Sequence, residues 1–107
     1  MLLTVKVPDK LSLPRSELWP KFRAGWLKQQ SSCQVCNRTK KLEVHHIIPF
    51  HINPRLELDV TNLITLCEHP AACCHYIVGH CAISWTRYDP NVINNARLIR
   101  EMRLMAK

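Results

Sequence analysis

The sequence predicts a small α+β domain in which two short strands and their flanking helices gather around bound metal. Three observations carry that expectation. Cys33-Gln34-Val35-Cys36 is answered by a second cysteine group, Cys67 with Cys73-Cys74, about thirty residues later, a spacing typical of zinc sites. Two short runs, residues 42–48 and 63–66, are rich in β-branched and apolar residues. Helical patterns precede and follow them.

In chain order, residues 1–13 read as an irregular N-terminal arm with a short strand near residues 2–7. A helix is expected over 14–30. Leu18, Phe22 and Trp26 recur at i, i+4, i+8, one face of a helix directed at a core, and Pro20 can sit only in its first turn. The Cys33–Cys36 turn presents two thiolates. The run Leu42-Glu43-Val44-His45-His46-Ile47-Ile48 reads as a strand stopped by Pro49. A loop of about a dozen residues leads to a second strand at 63–66, and a helix is expected from about Cys74. Asp89-Pro90 resembles a helix start, with Asp as cap and Pro at the first position. Val92, Ala96, Ile99 and Met102 of the last helix, 90–107, should then face the core. The whole chain, 1–107, reads as one domain whose zinc-stapled core spans 33–80.

With 107 residues the core is small, so metal staples are the natural supplement. The N-terminus has no basic n-region and no small-residue cleavage site, so it does not read as a secretory signal. No apolar stretch approaches the ~20 residues of a membrane span. The expectation is a cytoplasmic, intracellular chain with reduced thiols, in which cysteine pairs bind metal rather than form disulfides. Fifteen Lys and Arg against eight Asp and Glu give a net charge of +7 and a pI near 9.4. A basic domain of this kind is drawn to polyanions, nucleic acid first.

A structural zinc asks for four tetrahedral ligands. Cys33, Cys36 and Cys67 are three, and Cys74 is preferred over Cys73 as the fourth, with His69 a less favoured substitute. Cys81 and the unused member of the Cys73/Cys74 pair should be buried small hydrophobes. The tandem His45-His46 sits at a strand end, where neighbouring side chains point to opposite faces. Such a pair suits two adjacent tasks, one ligand and one base, better than joint grip on one ion.

The segments LEVHHIIPF, LDVTNLITLC and CCHYIVGH resemble the His-Asn-His (HNH) endonucleases, whose core is the ββα-metal (His-Me finger) fold. The flanking R-S-x-L-W-P-x-x-R and the Trp85 region are similar to small bacterial and phage members. The resemblance implies His46 as the general base and His45 and His75 as ligands of a catalytic divalent ion. Asn62 corresponds to the residue that orients the base or braces the loop. Cys33, Cys36, Cys67 and Cys74 correspond to the structural zinc. The run Cys67-Glu68-His69-Pro70-Ala71-Ala72-Cys73-Cys74-His75 is longer than the family's compact form. Some members add a further His one turn after the last. Here that position is Gly79, and His80 at i+5 falls about 140° round a regular helix, so a structural role is expected for it and ligation is the alternative.

The resemblance also implies metal-dependent hydrolysis of DNA with one catalytic ion, Mg²⁺ or Mn²⁺ with Zn²⁺ or Ni²⁺ as alternatives, leaving a 3′-hydroxyl and a 5′-phosphate. DNA is the expected partner, with RNA as an alternative, a homodimer or larger targeting partner as a further one, and no membrane. Arg38, Lys40 and Lys41 around the cysteine turn, and Arg97 and Arg100 on the last helix, are the candidate phosphate contacts. The rival reading is a non-catalytic, zinc-stabilised DNA-binding module. A redox role for Cys33 and Cys36 is disfavoured, because no βαβ pattern surrounds them.

Overall fold

The protein is described by a computed structural model covering residues 14–105, so the expected arm at 1–13, with its strand, lies outside the described residues. Helix α1 spans Trp19–Gln29, strand β1 Leu42–His46, strand β2 Leu63–Cys67 and helix α2 Val92–Met105. Short 3₁₀ turns at Pro54–Leu56 and Val60–Asn62 shape the loop between the strands. A single π-helical turn, His75–Gly79, takes the place of the expected regular helix.

The two strands pair antiparallel, with Leu42 opposite Cys67, His45 opposite Ile64 and His46 opposite Leu63. All five residues of β2 are buried. Among the described residues its outer edge has no third strand, yet its polar groups find partners. Thr65 N donates to Gln30 Oε1 at 2.7 Å, and Gln34 N donates to Thr65 O at 3.0 Å. The Thr65 hydroxyl donates to Gln30 O at 2.8 Å and accepts from Trp26 Nε1 at 3.0 Å. The end of α1 thereby closes the sheet edge, which would otherwise be an open template for pairing.

Alternation along the strands divides the sheet into two working faces. On one, α1 lies across the sheet, with Trp19 against His46 at 4.6 Å between ring centroids. On the other, Ile64 and Leu66 join Val92 and Ala96 of α2 in the core, and three of the core's fully buried residues are Cys33, Cys67 and Cys74.

Two helical expectations need correction. Helix α1 starts at Trp19, with Pro20 in its first turn, and buries no residue fully; Leu18 is 62% exposed. It grips the sheet by the half-buried Phe22 and Trp26 rather than by a continuous apolar stripe. In α2, Val92 and Ala96 are buried and Ile99 half-buried, but Met102 is exposed because the helix has run past the core by its third turn. Asp89 does not cap it directly. Its carboxylate accepts from Asn91 N at 2.8 Å in a turn that leads into the helix at Val92.

Among the described residues no helix is long and apolar enough to cross a membrane.

Candidate metal centre and catalytic cleft

Two clusters of potential ligands form, joined through adjacent residues. The Sγ atoms of Cys33, Cys36, Cys67 and Cys74 all lie within 4.8 Å of one another. Cys36 and Cys67 are 3.5 Å apart, close to the roughly 3.8 Å edge of a tetrahedron with zinc–sulfur bonds of about 2.3 Å. The turn that presents the first pair is closed by Cys33 N donating to Arg38 O and Asn37 N donating to Cys33 O, with Asn37 at a φ of 68°. Burial pushes the Cys36 thiol up, but bonds from Arg38 and the neighbouring thiols bring it down to about 6. Burial and the three neighbouring sulfurs push Cys74 up. Thiols this crowded cannot all ionise without a cation among them, and four sulfurs at this spacing fit a structural zinc.

Cys73 turns the other way. Its φ of 50° reverses the chain, and its thiol faces Pro70 O at 3.7 Å. His69 accepts from Ala71 N and is outside the cluster. Cys81 is exposed and Cys73 half-buried, so neither is the buried hydrophobe expected.

The second cluster joins His45, His75 and His80. His75 Nε2 lies 3.1 Å from His45 Nδ1 and 3.2 Å from His80 Nε2. The outer nitrogens determine what these inner ones are. His75 Nδ1 faces Glu68 Oε2 at 2.9 Å, and His80 Nδ1 faces Arg87 O at 2.7 Å. Both partners only accept, so each Nδ1 carries the proton and each Nε2 presents a lone pair. Two lone pairs 3.2 Å apart repel unless a cation or a proton stands between them. Burial first, and the other imidazoles after it, push His45 down to about 3, and burial also lowers His80. Two imidazoles held outward by acceptors, converging inward with His45, are the donor set a divalent ion takes.

The π turn explains why His80 joins. In a π-helix the repeat is i→i+5. Residues 75 and 80 therefore share a face, and the roughly 140° offset of a regular helix does not apply. Gly79 is required here for space. A Cβ at this position would stand 3.0 Å from Leu66 Cδ1 and 3.1 Å from His45 Cε1.

His46 lies beside this cluster on the other side of β1, half-buried. Its Nε2 is 2.9 Å from the Glu57 carbonyl oxygen, which only accepts, so the proton is on Nε2 and Nδ1 is the basic atom. Burial lowers its pKa, the Glu57 carbonyl raises it and the Arg15 guanidinium lowers it. Asn62 is buried, and its side chain hydrogen-bonds to neither His45 nor His46. Its Oδ1 accepts from Ile48 N at 2.8 Å, and its Nδ2 donates to Ile48 O at 3.0 Å and Leu56 O at 3.3 Å. These bonds tie residue 62 to the loop between the strands, which also carries Glu57.

His45, His46, His75 and His80 open on a cleft of about 360 Å³ lined also by Arg15, Trp19, Arg23, Glu43, Phe50, His51 and Trp85. Trp85 packs on His75 at 5.3 Å and His80 at 4.9 Å.

The two strands and both ligand clusters sit in the segment that the family comparison also selects. Residues 33–80 match the family model described as HNH endonuclease. That match covers a little under half of the chain. No curated protein and no solved structure matches it. Two antiparallel strands followed by a helical turn, with a four-cysteine cluster beside them, agree with the ββα-metal fold of HNH domains. The match suggests nuclease or DNA-binding function.

The five cations expected to hold DNA do not line the histidine cleft. Arg38 and Arg100 border a hollow beside the cysteine turn, and Arg97 lies along the groove between α1 and α2. Lys40 and Lys41 are exposed ahead of β1. Glu57 and Glu68 were not among the expected site residues, and their only sequence signal was local polarity. Arg15 and Trp85 lie in the flanking segments of the resemblance, which assigned neither a role. The two glutamates take their roles from partners seven to forty-one residues away.

Proposed function

We propose that the protein is a metal-dependent endonuclease that hydrolyses DNA phosphodiester bonds, with His46 as general base and His45, His75 and His80 holding one divalent ion. The observation that carries this reading is the pairing of His46 Nε2 with the Glu57 carbonyl, beside three imidazoles whose ligand nitrogens lie within 4.8 Å of one another. A DNA-binding module would have no use for a base held in one tautomer at a cleft.

When bound, Mg²⁺ or Mn²⁺ would supply charge stabilisation for the phosphate oxygens and the leaving oxygen. The chain's own residues do the rest. His46 Nδ1 takes a proton from the attacking water, and the Glu57 carbonyl stabilises the resulting imidazolium by keeping the Nε2 proton engaged. Neutral imidazole is the working form, and burial keeps His46 in it near neutrality. Asn62 keeps the loop, and so the Glu57 carbonyl, in place. Glu68 and the Arg87 carbonyl aim two of the three ligand histidines. The cysteine cluster, as a structural zinc site, anchors Cys74 and thereby the adjacent His75.

Purified protein should convert supercoiled plasmid to open-circle or linear product with Mg²⁺ or Mn²⁺, and not with EDTA. His46→Ala should abolish the conversion while DNA affinity is retained. Binding without cleavage in any metal would instead identify a non-catalytic zinc module.

A further inference from the structure

We infer that Arg15 is a phosphate-gripping residue of the cleft, held ready by Glu57. The inference rests on the cleft being where the DNA strand lies. Two arginines line it. Arg23 is already engaged, its Nη2 3.3 Å from Leu42 O and 3.4 Å from Glu43 Oε2. Arg15 is not. Its Cζ lies 4.5 Å over the Phe50 ring, and its Nη1 is 3.6 Å from Glu57 Oε2, beyond a good hydrogen bond. Among the described residues its guanidinium forms no hydrogen bond, and its side chain is 51% exposed.

Glu57 is the second, independent observation. Its side chain is 5% exposed, an uncommon place for a carboxylate. Oε1 accepts from Ser16 N at 3.0 Å, which pins the residue next to Arg15. Oε2 is buried, has no hydrogen-bond partner among the described residues, and faces Arg15. Such a group is costly unless it serves a purpose. Here it fixes a cation from below while Phe50 fixes the plane of the fork, leaving the N–H groups free toward the cleft.

The planar fork suits two oxygens of one phosphodiester, which a lysine ammonium cannot match in geometry. Holding it in advance removes the ordering cost that a free arginine meets on binding. The same Glu57 receives the His46 Nε2 proton on its main-chain oxygen. Base and phosphate grip are thus positioned from one residue.

The test is DNA affinity by anisotropy of a labelled duplex oligonucleotide, without added Mg²⁺ or Mn²⁺, for Arg15→Ala, Arg15→Gln and Arg15→Lys. Zinc content checks that each is folded, and Arg15→Gln keeps an aliphatic stem over Phe50 should the alanine variant lose its zinc. Ala and Gln should weaken binding about tenfold, the worth of one charged hydrogen-bonded contact. The slope of log affinity against log salt should shrink by about one. Lys should keep the slope and regain affinity only in part. Unchanged affinity and slope in the Ala and Gln variants overturns the inference. Because the readout is binding, a protein that never cuts plasmid but binds through Arg15 would sink the nuclease reading and leave this one standing.

Discussion

His75 Nε2 and His80 Nε2 stand 3.2 Å apart although five residues separate them. One π turn brings them to the same face. If both grip the catalytic ion, His80→Ala should lower plasmid cleavage about a hundredfold or more at fixed Mg²⁺. Its zinc content should remain that of the unaltered protein, since the cysteine cluster does not include it. Retention of full cleavage would make His80 structural.

The second prediction concerns the space that the turn leaves. Gly79→Ala puts a methyl 3.0–3.2 Å from Leu66 and the His45 ring, with little room for either to move in the buried sheet. Overpacking of this kind costs about 1–3 kcal/mol. Thermal unfolding should show a lower Tm, and cleavage should fall further than stability accounts for, because the displaced ring is a proposed ligand.

Glu68 offers a gentler perturbation. Glu68→Gln removes the carboxylate that holds His75 Nδ1 at 2.9 Å, on a side chain that is itself largely exposed. Titration of cleavage against Mn²⁺ should then require about 10–100-fold more ion, the usual effect of removing such a partner. Stability should hardly change, as exposed pairs contribute little. An unaltered ion requirement would show that His75 needs no aiming.

The cysteine assignment separates two neighbours. Cys74→Ser should release zinc and abolish cooperative folding, because a structural zinc supplies much of the stability of a core this small. Cys73→Ser should keep stoichiometric zinc, as its thiol faces Pro70 O rather than the cluster. Metal analysis of the two purified variants decides, and the reverse pattern would reassign the fourth ligand.

Asn62→Asp tests the loop brace. The aspartate still accepts from Ile48 N but cannot donate to Ile48 O or Leu56 O. A buried carboxylate left facing two carbonyls should cost roughly 2–3 kcal/mol in denaturant unfolding. Cleavage should fall through kcat with KM little altered, since the loop that carries the Glu57 carbonyl loosens beneath His46.

The sequence by itself determined which residue types meet and in what order. Cysteine spacing, tandem histidines at a strand end and two short β-type runs are local patterns, and each formed in place because local chemistry suffices for it. The strands stand within a residue or two of their predicted bounds. Tertiary structure decided what local pattern could not. The turn after Cys74 reads as an ordinary helix start; its π geometry belongs to a segment packed against Leu66 and His45, where a glycine admits the close approach. Whether His80 joins the other histidines therefore depends on packing rather than on spacing. Glu57 likewise reads as one more surface acid until the fold closes the strand-connecting loop over it. There it meets Ser16 forty-one residues away and His46 eleven away, and becomes the buried hinge of the cleft. The arginines followed the same logic. Sequence clustering drew attention to those near the cysteine turn and on the last helix, whereas contact across the fold placed Arg15 in the cleft with His46.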